Sequence, residues 1–264
     1  MTDRRKAQFR HAGQAGFSLV ELSIVILIMG LLLGGIALPL AQQRDNARFK
    51  EAERQLVEVR DALEGHVLVA GALPCPATPA SAGSAVVSGG GCGEQHGFVP
   101  ATTLSLRGSR NADNLLLDPW GSPLRYSVSA SDSNGNGQWD FVAAADLRAA
   151  GIAALAPELT VCRRAAGASA TACGSGNDTL TVGTPAIVYS LGKDWAGFSS
   201  ADQVANVGRT LSGGPSGERY RTAADAVFVD RGRSTQSGSE FDDVVEWIPS
   251  TVLYKRLLDA GVVP

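Results

Sequence analysis

The chain has 264 residues, enough for one large domain or two small ones, and it does not need disulfides merely to fold. Its 23 Lys and Arg and 26 Asp and Glu give a formal net charge of -3. This argues against a general nucleic-acid-binding protein, which usually gathers a basic excess on one face. A hydrophobic content of 44% excludes a disordered chain, and three His with four Cys are few for a metal enzyme.

The first forty residues differ in character from the rest. Residues 1–16 carry four basic side chains and the single acid Asp3, and the stretch from Phe17 to Ala41 contains Glu21 as its only ionisable side chain. In a helix this stretch would extend over roughly 37 Å, which exceeds the bilayer hydrocarbon core of about 30 Å. The pattern predicts a transmembrane helix with its basic end in the cytoplasm and all residues after Ala41 across the membrane.

Glu21 is costly near the start of an apolar helix in lipid, so we expect it to reach water at the membrane surface or to have a charged partner. The segment from Gly16 to Leu22, GFSLVEL, resembles the cleavage signal of type IV pilins and type II secretion pseudopilins. In that signal a basic leader ends in Gly, an aromatic residue follows, and Glu is fifth in the mature chain. The resemblance implies that a prepilin peptidase cuts between Gly16 and Phe17 and methylates the new amine of Phe17.

Cleavage at this position changes the charge of the chain. It would leave 248 residues with 19 Lys and Arg against 25 Asp and Glu. It would also create a positive terminus in an apolar environment, which Glu21 of a neighbouring subunit could neutralise. Head-to-tail contacts of this kind build an open filament. Glu21 is therefore expected to be an assembly residue.

The helix is expected to continue beyond the apolar run as an amphipathic segment over residues 42–70. Apolar side chains recur there at alternating spacings of three and four, at Phe49, Ala52, Leu56, Val59 and Leu63. Gly65, Gly71 and Pro74 are stop signals, so the helix is expected to end between residues 65 and 73. The stripe predicts that this half of the helix packs on a globular head formed by residues 71–264. The alternative is a dimeric coiled coil, which fewer than three heptads disfavour.

The head contains all four cysteines of the chain. They lie on the predicted exported side, where disulfides persist, and none is in a C-x-x-C spacing. Four cysteines allow three pairings. We expect the local pairs Cys75 with Cys92 and Cys162 with Cys173, each closing a short loop, and the alternative is buried free thiols.

Two further features resemble the heads of pseudopilins. The tetrad Asp118-Pro119-Trp120-Gly121 suits a type I turn between the apolar runs 115–117 and 124–128, so it predicts a β-hairpin. Segments 187–197 and 240–249 are similar to the late strand, Ser-x-Gly-x-Asp loop and Asp-Asp strand of those heads. The resemblance implies an α+β, pilin-like fold with an antiparallel β-rich head, enlarged here by insertions around residues 76–95, 160–178 and 200–240.

The segment 132–140 is a candidate calcium loop. Oxygen-bearing side chains stand at positions 1, 3, 5 and 9 with Gly at position 6, as in an EF-hand loop, but the twelfth position is Ala143. The candidate ligands are Asp132, Asn134, Asn136, Gln138 and Asp140. Calcium-binding heads occur among pseudopilins, and the alternative is a polar turn between strands. A second candidate set is Asp194 with Asp242 and Asp243, whose mutual distance the sequence leaves open.

Together these features predict four segments: a cleaved leader (1–16), a transmembrane or filament-core helix (17–41), an amphipathic helix (42–70) and a periplasmic head (71–264). The resemblance implies a structural subunit of a type IV pilus or type II secretion pseudopilus, of a minor or pseudopilin-like kind. Its partners would be prepilin peptidase, other pilin or pseudopilin subunits and an inner-membrane assembly platform. The alternative is a membrane-anchored periplasmic enzyme or binding module. No Ser-His-Asp order, paired-carboxylate signature or phosphate loop supports catalysis, so we do not expect an enzyme.

Overall fold

The structure is a computed structural model that describes residues 16–208, 211–212, 220–221 and 225–263. The predicted leader lies outside the described residues, apart from Gly16. The chain divides into two compact units between Ala47 and Arg48. Among the residues that the structure describes, no helix has a long enough and apolar enough stretch to cross a membrane.

Helix α1 covers Leu19–Ala70, a length of 52 residues. Its end is set by Gly71, whose φ of +77° is a left-handed conformation and whose backbone N–H donates to the Val67 carbonyl at 2.8 Å. Glycine is the usual residue at this position because a side chain would be strained there. The predicted stop between residues 65 and 73 is confirmed.

The remaining elements belong to the second unit. Its helices are α2 (Ala144–Ala150), α3 (Ala201–Val207) and α4 (Ser250–Asp259), with short 3-10 turns at Pro79–Ser81 and Gly176–Asp178. Its strands are β1 (Val87–Ser88), β2 (Gly91–Cys92), β3 (His96–Phe98), β4 (Arg125–Val128), β5 (Leu159–Cys162), β6 (Thr179–Thr184), β7 (Ala186–Ser190), β8 (Leu211–Ser212), β9 (Tyr220–Arg221), β10 (Val227–Val229) and β11 (Val244–Ile248).

A four-stranded antiparallel sheet in the order β11-β7-β4-β3 forms the centre of this unit. Its alternating side chains enter two cores. Val188 and Tyr126 pack with the α1 side chains, whereas Ile187 and Tyr189 pack with Phe228 of β10. The sheet is therefore buried on both faces, between α1 and α4 on one side and the sheet β10-β5-β6 on the other.

The predicted stripe of α1 is buried. Ala52, Leu56 and Leu63 are fully inaccessible, Val59 is 1% exposed and Phe49 is 8% exposed. Val67 extends the same stripe by one turn beyond the predicted residues. Burying a side chain such as Leu56 or Leu63 contributes about 1.5–3 kcal/mol, so the stripe anchors this part of α1 to the sheet.

Two details differ from the expected antiparallel head. Strand β10 pairs with β5 in parallel. Parallel neighbours need a long connection, and here the connection from β5 to β10 contains β6, β7 and α3. The predicted first arm of the hairpin, residues 115–117, forms isolated bridges instead of a strand. Leu117 lies opposite Pro123, which has no N–H to donate, and this interrupts the ladder.

Candidate functional site

Both disulfides of the head form as the sequence predicted. Cys75 is bonded to Cys92 and Cys162 to Cys173. Cys162 ends β5 and is fully buried beside Val229 and Phe241, so the second bridge ties the exposed 163–172 loop to a core.

The candidate calcium loop brings together only part of its predicted ligands. The Asp132 carboxylate accepts backbone N–H groups from Gly135, Asn136 and Gly137. Asn134 and Asn136 instead meet a residue outside the predicted set, because their side-chain amides both donate to Asp146 Oδ1, at 3.2 and 2.7 Å. Asp146 is in the first turn of α2, three residues beyond the twelfth position.

The other two predicted ligands point elsewhere. Asp140 is fully buried and accepts hydrogen bonds from Ser131 and from both the backbone and the hydroxyl of Ser133. The Gln138 side chain donates to the Gly89 carbonyl at 3.1 Å, in the turn between β1 and β2. Asp140 and Gln138 therefore anchor the loop. The side-chain oxygens that could still serve as calcium ligands belong to Asp132, Asn134 and Asn136 of the loop and to Asp146 of α2.

The second candidate set is assembled. Asp194, Asp242 and Asp243 each place a carboxylate oxygen within 4.8 Å of the others. The loop after β7 and the residues before β11 meet here, since Ser190 and Val244 are paired in the sheet. Gly192 allows this approach with a φ of +67°, and a Cβ at this position would collide with Asp242.

Burial and mutual repulsion determine the charge state of this cluster. Burial, with a hydrogen bond and repulsion from Asp194, raises the pKa of Asp242 to about 7. Burial also raises the pKa of Asp243 well above its ordinary value. Asp243 Oδ2 accepts from the Asn206 amide at 2.7 Å, and Asp243 Oδ1 has no hydrogen-bond partner among the described atoms. Carboxylates at this spacing are the type of group that could hold a divalent cation.

At the N-terminal end of the described chain, Gly16, Phe17 and Ser18 precede α1, and Glu21 is in its first turn. Ser18 caps the helix, because its hydroxyl accepts the backbone N–H of Val20 at 3.3 Å. The Glu21 carboxylate accepts the backbone N–H of Ser18 at the same distance. The carboxylate of Glu21 is therefore held near the start of the helix, one turn from Phe17.

Apolar side chains surround this carboxylate and are exposed on every side of the helix. Phe17 and Leu19 are each 85% exposed, and the run continues through Leu32, which is 61% exposed. The exposed set is Phe17, Leu19, Val20, Leu22, Ile24, Val25, Ile26, Leu27, Ile28, Met29, Leu31 and Leu32. A helix that is apolar all round is stable where other apolar groups surround it.

Residues 11–37 match the family model of the prokaryotic N-terminal methylation motif. The chain carries the type IV pilin and pseudopilin signal. The matched segment contains Gly16, Phe17 and Glu21, so the resemblance predicted from these residues is confirmed. No curated protein and no solved structure matches the chain significantly.

The motif indicates a pilin-like or pseudopilin-like protein. This agrees with the order of elements, an N-terminal helix followed by a β-rich head of mixed helix and antiparallel sheet. The match ends at residue 37, before the head begins, so it assigns nothing to the loop 132–140 or to the acidic cluster.

Sequence reasoning missed two residues at these sites. Gln203 and Asp146 approach the acidic cluster and the 132–140 loop, respectively. For Gln203 a signal was present, because Ser200-Ala201-Asp202-Gln203 is a capping-box sequence and the structure forms that box. This signal predicts that a helix starts at Ser200, but it does not predict that Gln203 lies beside the carboxylates. For Asp146 the only signal was an acidic residue followed by an apolar one, Leu147, and this is a weak indication of a first helical turn.

Proposed function

We propose that the protein is a structural subunit of a type IV pilus or a type II secretion pseudopilus. The observation that carries this proposal is the methylation motif over residues 11–37. In this function the leader is removed by prepilin peptidase between Gly16 and Phe17, and the amine of Phe17 is methylated. The processed subunit is stored in the inner membrane with its head in the periplasm. An assembly platform then adds it to a filament of pilin or pseudopilin subunits.

The exposed apolar surface of residues 17–32 supports a function in which this surface is covered by other molecules. In the membrane it would be covered by lipid, and in the filament by the same segment of neighbouring subunits. Cleavage gives each subunit a positive amine at Phe17, and Glu21 is the only ionisable side chain of the apolar run that can neutralise it. The large head, with insertions such as the one that contains α3, favours a minor or pseudopilin-like position over one repeated along a thin filament.

Processing at Gly16 is the decisive test. The peptidase must accept Gly16 next to the cut, so Gly16→Val should leave a full-length precursor in the inner membrane. Gly13→Val, which changes another glycine of the leader, should be processed normally. Mass spectrometry of the wild type should detect an N-methylated Phe17 terminus. An intact Met1 terminus in functional material would contradict the proposal.

The competing function is a membrane-anchored periplasmic enzyme or binding module, in which the helix serves only as an anchor. Such a protein would keep its activity when the leader is uncut and when Glu21 is replaced. A filament subunit would lose its function in both cases. The two classes are therefore separated by the Gly16→Val and Glu21→Ala variants in the native host, with secretion or piliation as the readout.

A further inference from the structure

The amide of Gln203 is placed between two of the three carboxylates of the acidic cluster. Its Nε2 lies 2.7 and 2.8 Å from the two carboxylate oxygens of Asp194 and 3.0 Å from Asp242 Oδ1. We infer that this amide takes the place of a divalent cation between Asp194 and Asp242, so that the head folds without calcium.

The hydrogen-bond donors around the two carboxylates leave none of their oxygens free. Gln203 serves both oxygens of Asp194 and Oδ1 of Asp242, while Asp242 Oδ2 accepts the backbone N–H groups of Lys193 and Asp194 at 2.6 and 3.3 Å. Calcium takes six to eight oxygen ligands, whereas the group at this centre is an NH₂ with its hydrogens towards the carboxylates. A cation could bind between Asp194 and Asp242 only if the Gln203 amide moved away.

The orientation of the amide is determined by the start of α3. Gln203 Oε1 faces the backbone N–H groups of Ser199 and Ser200, at 3.4 and 3.5 Å, and the Ser200 hydroxyl accepts the Gln203 N–H at 3.3 Å. Reversing the amide would direct Nε2 at these donors and Oε1 at two carboxylates. Gln203 is fully buried, so neither mismatch could be relieved by water.

A second amide on the same helix supports the same arrangement. Asn206 is three residues further on and therefore on the same face of α3. Its Nδ2 donates to Asp243 at 2.7 Å and its Oδ1 accepts the Val229 N–H at 2.7 Å. Helix α3 thus presents two buried amides to the three carboxylates.

The inference is tested by comparing four full-length chains in detergent micelles by thermal unfolding with chelator and with about 1 mM calcium. All four carry Asp132→Ala, which removes the first oxygen donor of the 132–140 loop. The parent chain should melt at the same temperature in both conditions. Gln203→Ala removes the amide donor between Asp194 and Asp242, so its melting temperature in chelator should fall by about 4–8 °C, and calcium should restore at least half of the loss.

Gln203→Glu is the second variant, because it keeps the shape of Gln203 but replaces the donor by a further carboxylate. It should melt below the parent in chelator, and calorimetry should detect one calcium bound per chain. Gln95→Ala is the matched control, since Gln95 is also a buried amide that donates to a carboxylate, Glu158, at 2.6 Å. It should lose stability without any rescue by calcium. The inference would be overturned if calcium raised the melting temperature of the parent, or if it raised that of neither Gln203 variant.

Discussion

Asp118 joins the turn of residues 118–121 to the central sheet. Its Oδ1 accepts the backbone N–H groups of Trp120 and Ser122, both at 2.9 Å, and its Oδ2 accepts the Ser190 hydroxyl of β7 at 2.6 Å. The residue is 5% exposed, so these donors have no water to replace the carboxylate. A residue that the sequence indicates as a turn former is therefore also a contact between the turn and the sheet.

Asp118→Ala should lower the free energy of unfolding by about 2–4 kcal/mol, because it leaves two backbone N–H groups and one hydroxyl buried without an acceptor. Asp118→Asn keeps one oxygen for the N–H groups of Trp120 and Ser122 and can donate to Ser190, so it should lose less than half as much. Denaturant unfolding of the full-length chain measures both. Equal losses in the two variants would show that the hydrogen bonds are not the cause.

The difference in stability between the wild type and Asp118→Asn should also depend on pH. Burial raises the pKa of Asp118, and the hydrogen bonds from Ser190, Ser122 and Trp120 oppose this rise only in part. A carboxyl whose pKa is raised by folding binds its proton more strongly in the folded state. The wild type should therefore gain stability relative to Asp118→Asn as the pH falls from neutral towards about 4, the ordinary pKa of Asp. A constant difference over this range would contradict the assignment.

The sequence predicted two kinds of feature: those that follow a regular spacing along the chain, and those whose two partners are close in sequence. The stripe from Phe49 to Leu63 follows from helical spacing, and each disulfide closes a loop of fewer than twenty residues. The parallel pairing of β5 with β10 joins residues that lie far apart in sequence, and no local signal indicates it. Gln203 likewise meets Asp242, 39 residues further along the chain, and no local signal indicates this contact either.

The second disulfide holds an element whose own contacts are few. Cys162 is buried at the end of β5, whereas most of the loop up to Cys173 is exposed. Replacing both cysteines by Ala should lower the free energy of unfolding by about 3 kcal/mol through the entropy of the unfolded chain. The Cys75→Ala, Cys92→Ala chain should lose a similar amount, because the closure entropy changes only with the logarithm of the loop length, and the two separations are 17 and 11 residues.

Reduction provides the control for this prediction. A reductant should lower the melting temperature of the wild type but leave a chain without any of the four cysteines unchanged. Non-reducing peptide mapping should recover Cys75 linked to Cys92 and Cys162 linked to Cys173. Crossed pairs or free thiols would contradict the structure at both loops.

At the scale of the whole molecule, the two units differ in the chemistry of their surfaces. Residues 17–32 expose almost only apolar side chains, whereas the unit from Arg48 onward buries its large apolar side chains in the cores and exposes few. Changes in the first unit should therefore act on contacts with other molecules, and changes in the second should act on folding. Glu21 tests this separation because it is the one acidic side chain among the exposed apolar residues of 17–32.

Glu21→Ala should give a stable, processed protein that fails to enter filaments. The substitution makes the apolar run more favourable for insertion. The head belongs to a separate compact unit that begins at Arg48. The head should therefore fold, form both disulfides and keep its melting temperature, and the chain should still be cut after Gly16. What is lost is the carboxylate for a neighbour's Phe17 amine, and an uncompensated charge in an apolar filament core costs several kcal/mol per added subunit.

Filament assembly in the native host and crosslinking between residue 21 of one subunit and the terminus of another measure this loss. Glu53→Ala is the matched control, because it removes the same charge from an exposed position of α1 outside the apolar run. It should assemble like the wild type, and the crosslink should form in it but not in Glu21→Ala. If Glu21→Ala assembles as well as Glu53→Ala does, the carboxylate is not an assembly contact. Glu21 would then be a side chain that reaches water at the membrane surface, and the partner of the Phe17 amine would have to be sought elsewhere.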